Sequence, residues 1–402
     1  MTKIFALKGK VQNYAWGGKN YIPDLLGITP EEKPYAEYWL GAHVNAPSVV
    51  ERENGLVNLD TFLNEQIEES LGAEVANKFG RLPFLFKVLD VNDMLSIQVH
   101  PTKVEAEKGF KYENDLGIPL TASHRNYKDD NHKPEIMVAL SEFWLLHGFL
   151  SEYKLKHVLS TIPEFTPLLP VFEKEGYLGL YRTVMEQTEE ETTKTLKPLV
   201  DRILPLYRKG DLNKSDPAYW AAKAADANTS AVIDKGIYSI YFFNIVKVEK
   251  GEAVFQDAGI PHAYLEGQNM ELMANSDNVL RGGLTPKHVD VPELLKHVAF
   301  EATVPNILKG ESKSEGLERV YKSPAPDFEL SQIKLNNQNE YTSNSYSAQI
   351  LIIIEGDVEL SSDDGTSLKL NKGQSALILA DCDYTISAKS STLIFKATAP
   401  EI

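Results

Sequence analysis

The first candidate for chemistry is a pair of polar side chains, Gln98 and His100, at the end of the apolar run in residues 96–101 (SIQVHP). Because side chains alternate along a strand, residues two apart project from the same face. The two donor atoms are therefore expected to point in one direction. Such pairs also occur on exposed strand faces that have no function, so the meaning of this pair depends on which other ligands it meets.

Two further candidate ligands, Glu135 and His262, lie far along the chain. Glu135 follows Pro134 at the start of an apolar strand, where a carboxylate needs a partner; a surface ion pair with a neighbouring lysine is the alternative. His262 follows Gly259 and Pro261 in a tight turn. This frame is typical of metal-binding jelly rolls, although a single histidine in a turn is often an ordinary surface or core residue.

Together, Gln98, His100, Glu135 and His262 offer two nitrogen and two oxygen ligands with one negative charge among them. This donor set suits Zn²⁺, and iron, cobalt and manganese are the alternatives. A bound ion would keep a net positive charge, which favours Lewis-acid work on a developing oxyanion over a closed structural site. The spacing along the chain does not establish that the four side chains meet.

A polar run in residues 271–287 (ELMANSDNVLRGGLTPK) holds Arg281 before two glycines and Lys287 after a proline. Glycines let a backbone approach a ligand closely, and ordered loops of this kind often carry function. An arginine in such a loop can clamp a phosphate or stabilise an enolate. The alternative is a solvated, charged loop.

The elements that must position these residues are mostly strands. Short apolar runs broken by Gly, Pro, Asn and Asp, such as residues 84–89 and 94–99, predict strands through the first 150 residues. Apolar residues at intervals of three and four predict helices over residues 59–79 and near residues 102–111. Both helices are expected on the outside of the strands.

The rest of the chain alternates between helix-like and strand-like sequence patterns. Residues 151–228 are rich in Glu and Lys with helix-period leucines, which predicts a helical subdomain. Residues 237–248 (IYSIYFFNIVKV) return to a strand pattern, and a helix is expected over residues 291–298. Closely spaced short strands from residue 328 to residue 396 predict a small all-β barrel or jelly roll.

The predicted fold class is therefore mainly β with an α insertion. The 402 residues suggest two or three domains, and the texture divides them into residues 1–150, 151–235, 236–305 and 306–402. The segments 248–254 and 354–360 share a weak pattern of strand, tight turn and strand. Two related β-barrels would explain this repetition.

The composition excludes several classes of protein. Lys plus Arg number 41 and Asp plus Glu 57, which gives a formal net charge of −16 and disfavours nucleic acid and anionic membranes as partners. An anionic ligand must therefore meet a local basic pocket. The single cysteine, Cys382, fits a reducing compartment, and the first residues have too short an apolar run for a signal peptide. We expect a cytoplasmic protein.

The chain resembles a known family, the type I phosphomannose isomerases, in six blocks that occur in the same order. The blocks are residues 12–17 (QNYAWG), 36–43 (AEYWLGAH), 96–101 (SIQVHP), 132–135 (HKPE), 259–264 (GIPHAY) and 275–287 (NSDNVLRGGLTPK). The resemblance spans residues 10–300 and implies a catalytic cupin with one zinc ion, a helical insertion and a second, degenerate cupin at the C-terminus. No histidine follows His297, so a metal site in the last segment would lack its commonest ligand.

The resemblance also implies roles for individual residues. Gln98, His100, Glu135 and His262 would be the zinc ligands, and Arg281 would lie at the active centre. The pocket would be lined by Trp16, Lys87, Ser96, Lys133, Tyr264, Glu271 and Lys287. Among these, Ser96 and Lys87 are expected to contact the phosphate. Residues 306–402 are expected to be structural.

The implied reaction interconverts mannose 6-phosphate and fructose 6-phosphate through a cis-enediol, in a chain that we expect to act as a monomer. Zinc and Arg281 would stabilise the developing negative charge, and a general base must remove a carbon-bound proton. Glu271 is the first candidate for this base, and Lys133 and His132 are the others.

Two other classes of function are considered. A cupin dioxygenase would carry a His-x-His pair followed closely by a glutamate, whereas here Gln98 takes the place of the first histidine and Glu135 lies much further on. A non-catalytic phosphosugar-binding or regulatory cupin would keep the fold but lose the metal ligands or Arg281. This sequence retains all five residues.

Overall fold

The structure is a computed structural model that describes residues 2–52, 55–228, 230 and 232–401. Its first part alternates strands with short helices. In chain order these are β1 (Ile4–Lys8), β2 (Lys10–Gln12), α1 (Tyr21–Leu26), β3 (Glu37–Gly41), β4 (Val49–Arg52), β5 (Gly55–Asn58), α2 (Leu59–Glu65), α3 (Ile67–Leu71), α4 (Ala73–Phe79), β6 (Phe84–Val91), β7 (Ile97–Val99), α5 (Lys103–Asp115), β8 (Glu135–Ala139) and β9 (Phe143–Phe149).

A group of helices follows, in the segment where the sequence predicts an α insertion. They are α6 (Glu152–Thr161), a 3₁₀ turn (Pro163–Leu168), α7 (Leu169–Met185), α8 (Glu189–Lys209), α9 (Pro217–Ala227) and α10 (Gly236–Phe242). Helix α8 begins with a capping box formed by Thr188 and Glu191 and ends at Gly210, which adopts a left-handed conformation. Within the described ranges, no helix has both the length and the apolar composition needed to cross a membrane.

Strands then dominate to the end of the chain. They are β10 (Phe243–Val248), β11 (Ala253–Gln256), β12 (His262–Ala274), β13 (Leu280–Gly283), β14 (Glu311–Lys313), β15 (Glu318–Tyr321), β16 (Glu329–Leu335), β17 (Glu340–Ser345), β18 (Gln349–Glu355), β19 (Asp357–Ser362), β20 (Ser367–Asn371), β21 (Ser375–Ile378), β22 (Cys382–Ala388) and β23 (Thr392–Thr398), with α11 (Val291–His297) and a 3₁₀ turn (Ser314–Gly316) between them.

The strand β12 organises the sheet that carries the candidate ligands. It is antiparallel to β6, β7, β8 and β9, and so brings together strands that are distant in sequence. The path of this sheet is β10-β9-β12-β6-β3-β2, and β11 and β13 join it through β8 and β7. The fold is therefore mainly β with helices, which confirms the predicted fold class.

The N-terminal strands do not all belong to the sheet of β12. The sheet formed largely by C-terminal strands has the order β14-β15-β16-β23-β18-β21-β1-β4-β5, and Ile4 pairs with Ile378. A smaller sheet, β17-β22-β19-β20, faces it across a shared core that includes Ile333 and Ile353. Residues 4–8, 49–52 and 55–58, which precede the boundary expected at residue 150, therefore extend the C-terminal sheet.

The strand predicted over residues 237–248 is wrong in its first half. Residues Gly236–Phe242 form helix α10, and the strand begins only at Phe243. Every residue of this helix is buried, against the core of the helical segment. A short helix that is buried on all sides has no polar face, so its sequence cannot be distinguished from that of a buried strand.

The long helix predicted over residues 59–79 is interrupted. It consists of α2, α3 and α4, with breaks at Gln66 and Gly72. Gly72 has a φ of 82°, and a β-carbon there would lie 2.9 Å from the carbonyl oxygen of Tyr346. The close approach of the C-terminal segment therefore favours glycine at this break.

A buried ion pair lies inside the C-terminal sheets. Lys396 Nζ is 2.7 Å from Glu318 Oε1 and donates to Tyr341 Oη at 2.9 Å. Tyr341 Oη and Ser331 Oγ donate in turn to the Glu318 carboxylate, at 2.8 and 2.7 Å. Although burial alone would raise the pKa of Glu318, Lys396 holds it below its ordinary value. The pair is thus satisfied on both sides within an otherwise apolar core.

Replacing Lys396 by methionine is expected to lower the free energy of unfolding by about 3–5 kcal/mol, because the Glu318 carboxylate would stay buried without its cation. Urea unfolding measures this change. The control is Lys250→Met, whose ammonium pairs with Glu355 at 2.7 Å on the surface and is expected to contribute less than about 1 kcal/mol. Equal effects of the two substitutions would contradict the buried-pair interpretation.

Candidate active site

Three side chains that the sequence nominates as ligands converge in the structure. The ligand atoms of His100, Glu135 and His262 all lie within 4.8 Å of one another, and all three residues are buried. His100 Nε2 is 3.5 Å from Glu135 Oε1, and His262 Nε2 is 3.3 Å from Glu135 Oε2. One carboxylate therefore lies between two imidazoles.

The pairing of β7 with β12 brings two of the candidate ligands side by side. His262, the first residue of β12, is opposite Gln98 of β7. Residues paired across antiparallel strands project from the same face. Glu135, the first residue of β8, is opposite Met273 at the other end of β12. Gln98, Glu135 and His262 line one cavity.

Both histidines are held in the same tautomer by backbone carbonyls. His100 Nδ1 is 2.8 Å from the carbonyl oxygen of Asn278, and His262 Nδ1 is 2.8 Å from that of Ile260. A carbonyl can only accept, so each Nδ1 carries the hydrogen and each Nε2 presents its lone pair. Among the described residues, neither Nε2 has a hydrogen-bond partner.

The charge states of these groups also suit a cation. Burial lowers the pKa of His100 to about 4, so its imidazole is neutral at pH 7. Burial alone would raise the pKa of Glu135, but the Lys133 ammonium, 3.0 Å from Glu135 Oε1, and His100 hold it well below its ordinary value. Two imidazoles, one carboxylate and the nearby Gln98 amide match the nitrogen and oxygen ligands of an open zinc site.

A second charged cluster lies on the neighbouring strands β3, β6 and β12. Lys87 Nζ is 2.9 Å from Glu271 Oε2 and 3.6 Å from Glu37 Oε2. Burial disfavours the lysine charge, but these carboxylates raise the pKa of Lys87 well above its ordinary value. Two carboxylates around this ammonium would repel a phosphate. Lys87 is therefore poorly placed for the phosphate contact that the family resemblance implies.

Glu271 and Tyr264 line the same cavity as Gln98, Glu135 and His262. Burial raises the pKa of Glu271, the carboxylates of Glu135 and Glu37 raise it further, and Lys87 opposes this. Tyr264 Oη is buried and has no hydrogen-bond partner within the described part of the chain. A carboxylate with a raised pKa beside a metal-ligand set is suited to proton transfer.

The other predicted site residues do not line this cavity. Arg281 is half-buried on β13 opposite Gln98, and Lys287 is exposed on the loop that follows. Trp16 stacks on Tyr14 at 6.0 Å between ring centroids, and Ser96 is half-buried just before β7. The structure thus brings Lys87, Lys133, Tyr264 and Glu271 to the cavity of the ligands, and leaves Trp16, Ser96, Arg281 and Lys287 outside it.

Arg281 belongs to a group of cations without carboxylate partners. Burial lowers the pKa of Lys287, and the nearby charge of Arg281 lowers it further. Burial also lowers the pKa of Lys128, as do the charges of Arg125 and Arg281. Among the described residues, none of Arg281, Lys287 and Lys128 forms an ion pair. They are local positive charge in a strongly acidic chain.

Some polar residues at the site were not assigned from the sequence. Glu37 lines the cavity, and His43 Nε2 lies 3.2 Å from Asp277 Oδ2. Burial alone would raise the pKa of Asp277, but its hydrogen bond with His43, followed by the charges of Lys133 and Lys87, holds this pKa below its ordinary value. Glu37, His43 and Asp277 lie inside the family-like blocks 36–43 and 275–287, so the resemblance points to this part of the site without giving these residues a role. His132, an alternative base, instead lies 2.8 Å from Asp327 of the C-terminal segment.

His147 is a buried histidine beside the candidate ligands. It is opposite His262 in the pairing of β9 with β12, and its Nδ1 is 2.7 Å from Gln256 Oε1. Burial lowers the pKa of His147 from 6.5 to about 4. The unfolded chain therefore takes up a proton as pH falls through about 6.5, whereas the folded protein does not until about 4.

His147→Gln is therefore expected to reduce the loss of stability on acidification. In the unmodified protein this histidine removes up to about 3 kcal/mol of unfolding free energy between pH 6.5 and pH 4. Urea unfolding at several pH values, with chelator present in all samples, measures the slope for both proteins. The exposed His157→Gln is the control, and an unchanged slope in His147→Gln would contradict the assignment.

Comparisons with known proteins agree with this arrangement. Residues 4–151 match the family description "Phosphomannose isomerase type I, catalytic domain". The chain is 38% identical over 381 residues to mannose-6-phosphate isomerase of Escherichia coli (strain K12), which covers 93% of this chain and 94% of the relative. It is 31% identical over 431 residues to the mannose-6-phosphate isomerase of Homo sapiens, with 98% of each chain covered.

The fold agrees as well. The crystal structure of mannose 6-phosphate isomerase from Salmonella typhimurium, bound to its substrate fructose 6-phosphate and to zinc, superposes with a TM-score of 0.88 and 35% identity. The match covers 100% of both chains. The chain combines a candidate metal-ligand set inside a mainly β fold with sequence identity to these isomerases along nearly its whole length. The chain belongs to the type I phosphomannose isomerase family.

Proposed function

We propose that this chain is a zinc-dependent isomerase that interconverts mannose 6-phosphate and fructose 6-phosphate through a cis-enediol. The observation that carries the proposal is the pair of buried Nε2 atoms of His100 and His262 on either side of the Glu135 carboxylate, neither of which has a hydrogen-bond partner among the residues that the structure describes. The relatives from E. coli and human carry this enzyme's name, and the S. typhimurium structure holds both zinc and fructose 6-phosphate.

His100, Glu135, His262 and Gln98 would hold the metal. When bound there, zinc supplies Lewis-acid stabilisation of negative charge on a substrate oxygen. Lys133 donates to Glu135 Oε1 and so orients that ligand. As an ammonium it can also donate a proton or a hydrogen bond to a substrate oxygen, but it cannot accept one.

Glu271 is the proposed general base. Its carboxylate lines the cavity of the ligands, and its raised pKa improves its ability to take up a proton at neutral pH. In this role it removes the proton from C2 of the aldose while O1 gains a proton, which gives the enediol. It then delivers a proton to C1 while O2 loses its proton, which gives the ketose. The Lys87 ammonium, 2.9 Å away, holds the carboxylate in place and stabilises its charged form, which is present before the first transfer and again after the second.

The phosphate is assigned to the cations that have no carboxylate partner. Arg281, Lys287 and Lys128 provide positive charge around β13, and the Ser96 hydroxyl precedes the neighbouring β7. Arginine can bind a phosphate in a bidentate manner, which fixes the sugar as well as attracting it. The Tyr264 ring lines the cavity and would bound the sugar itself, and Trp16, which packs against the same apolar cluster as Tyr264, would extend this boundary outside the cavity. Binding energy from the phosphate then positions the reacting carbons at the metal.

We propose a domain organisation that modifies the one expected from the sequence. A catalytic cupin comprises most of residues 10–150 together with residues 243–305, a helical subdomain comprises residues 151–242, and a degenerate cupin comprises residues 306–402 with the N-terminal strand β1. The pairing of β1 with β21 supports the last assignment. The unpaired, buried Cys382 supports a cytoplasmic location, and we propose a monomer.

The experiment that tests the reaction is conversion of mannose 6-phosphate in D₂O, followed by NMR. Proton transfer through an enediol exchanges the migrating hydrogen with a protein base, so deuterium is expected to enter the product when the base exchanges with solvent. Formation of fructose 6-phosphate is the primary result. A folded, zinc-loaded protein that binds mannose 6-phosphate but forms no fructose 6-phosphate would instead support a phosphosugar-binding protein.

A further inference from the structure

Residues 276–285, here called the bridging segment, join the two halves of the proposed site. Near its start, the carbonyl of Asn278 accepts the Nδ1 hydrogen of the candidate ligand His100 at 2.8 Å. Near its end lies Arg281, followed by two glycines. The position of this one segment therefore sets both the orientation of a ligand and the location of the proposed phosphate-binding cation.

The start of the bridging segment is held by Asp129, from the loop before β8. Its carboxylate accepts from the backbone N–H of Asp277 at 2.7 Å and from Ser276 Oγ at 2.7 Å. The buried Asn278 side chain completes the contact: its Nδ2 donates to the carbonyl oxygens of Asp129 and Asn131 at 2.8 and 2.9 Å. In the described part of the chain, Asp129 has no cationic partner; its acceptor oxygens serve this segment and, through Oδ1, the backbone N–H of Asn131 at 2.9 Å.

The end of the bridging segment is held by Asp234, which precedes helix α10. Its Oδ1 accepts from the backbone N–H of Leu284 at 2.8 Å, and its Oδ2 from that of Thr285 at 3.0 Å. Leu284 has a φ of 54°, a conformation that costs energy for a leucine and needs support from its surroundings. Asp234 Oδ1 also accepts from the N–H of Gly236 at 2.7 Å, which ties the turn to the start of α10.

The backbones are packed too closely here for the turn to shift freely. A β-carbon on Gly283 would lie 2.6 Å from both Cα and N of Gly236, and one on Gly236 would lie 2.6 Å from N of Leu284. The turn after Arg281 is therefore fixed against the helical segment by the carboxylate and by this contact. A helical insertion that supplies none of the proposed ligands thereby reaches the site.

We propose that Asp129 and Asp234 are positioning residues that hold opposite ends of the bridging segment and serve different halves of the site. Asp129 positions the Asn278 carbonyl and through it the metal ligand His100. Asp234 positions Arg281 and through it the bound substrate. This inference rests on the proposed function, because it assigns Arg281 to substrate and His100 to zinc.

The test compares Asp129→Ala and Asp234→Ala by two measurements, zinc affinity in competition with a chromophoric chelator and kcat/KM for mannose 6-phosphate at saturating zinc. Loss of the partners that orient a metal-ligating histidine commonly costs about 10- to 100-fold in metal affinity. We expect Asp129→Ala to weaken zinc binding by about 10-fold within that range. We expect Asp234→Ala to leave zinc affinity within about twofold and to lower kcat/KM by about 10- to 100-fold, as a misplaced substrate-positioning group does.

Matched variants separate positioning from general damage. Asp130→Ala is the control for Asp129, and Asp216→Ala, which removes the N-cap of α9 in the helical segment, is the control for Asp234. Both controls are expected to keep zinc affinity and kcat/KM. Asp129→Asn and Asp234→Asn each keep one acceptor oxygen, and they are expected to recover part of the lost affinity or activity. Circular dichroism and thermal unfolding establish that each variant is folded.

The pattern of the two measurements decides the outcome. The inference would be overturned if zinc affinity and kcat/KM changed in parallel in Asp129→Ala and Asp234→Ala, or in proportion to lost thermal stability. Such a pattern would show a structural role only. Unchanged zinc affinity in Asp129→Ala or unchanged kcat/KM in Asp234→Ala would overturn it too. An unmodified protein that binds no zinc or does not convert mannose 6-phosphate would instead reject the proposed function itself.

Discussion

His262→Ala is expected to lose bound zinc and isomerase activity together. The substitution removes one of two imidazoles whose buried Nε2 atoms have no other partner among the described residues, and it leaves Glu135 with one ligand neighbour fewer. Metal stabilisation of a developing oxyanion is worth several kcal/mol. Its loss therefore corresponds to a decrease in kcat of about 10³-fold or more.

Zinc content by atomic emission and activity are measured on the same preparation of His262→Ala. Gln98→Ala is expected to change both quantities in the same direction. The control is His157→Ala, which removes an exposed histidine of α6 and is expected to keep zinc and activity. Full zinc occupancy in both Gln98→Ala and His262→Ala would remove the proposed metal site.

Arg281→Ala is expected to separate metal binding from turnover. Arg281 lies opposite Gln98 across the pairing of β13 with β7, but its guanidinium lies outside the set of metal ligands. Zinc occupancy should therefore stay as in the unmodified protein. Removing a fixed cation that stabilises negative charge on the substrate commonly costs about 10²- to 10³-fold in rate, and we expect kcat/KM to fall by that amount.

Arg281→Lys is the informative companion to Arg281→Ala. Lysine keeps the positive charge but not the planar, bidentate arrangement of donors, so we expect partial recovery of kcat/KM. Steady-state kinetics with mannose 6-phosphate, together with zinc content, measures both variants. Loss of zinc from Arg281→Ala, or unchanged kcat/KM in it, would contradict the proposed role.

The proposed metal ligands could be nominated from the sequence because their frames are local. His262 follows a glycine and a proline in a tight turn, and Gln98 and His100 alternate at a strand end. The orientation of the two histidines could not be predicted, because it depends on backbone carbonyls. The carbonyls of Asn278 and Ile260 select the tautomer, and every residue type carries such a group.

Lys87 shows the opposite case, in which the residue was identified but its surroundings were not. A lysine in a phosphosugar enzyme is a natural candidate for a phosphate contact. The pairing of β6 with β3 and β12 instead places it between the carboxylates of Glu37 and Glu271. This neighbourhood combines residues 37, 87 and 271, and no local pattern in the sequence indicates that they meet.

The fold class was predictable because strand and helix patterns dominate long stretches of the chain. Two errors have physical reasons. Helix α10 is buried on every side, so its apolar run reads as a strand. Strand β1 pairs with β21 near the other end of the chain, and such a long-range contact leaves no trace in the N-terminal sequence.

We propose that this chain isomerises mannose 6-phosphate with a zinc ion held by His100, Glu135, His262 and Gln98. The most direct measurement is a coupled assay for fructose 6-phosphate on the purified protein, before chelation, after chelation and after zinc is added back. We predict that activity disappears on chelation and returns with stoichiometric zinc. Activity that persists in protein shown to be free of metal would contradict the claim.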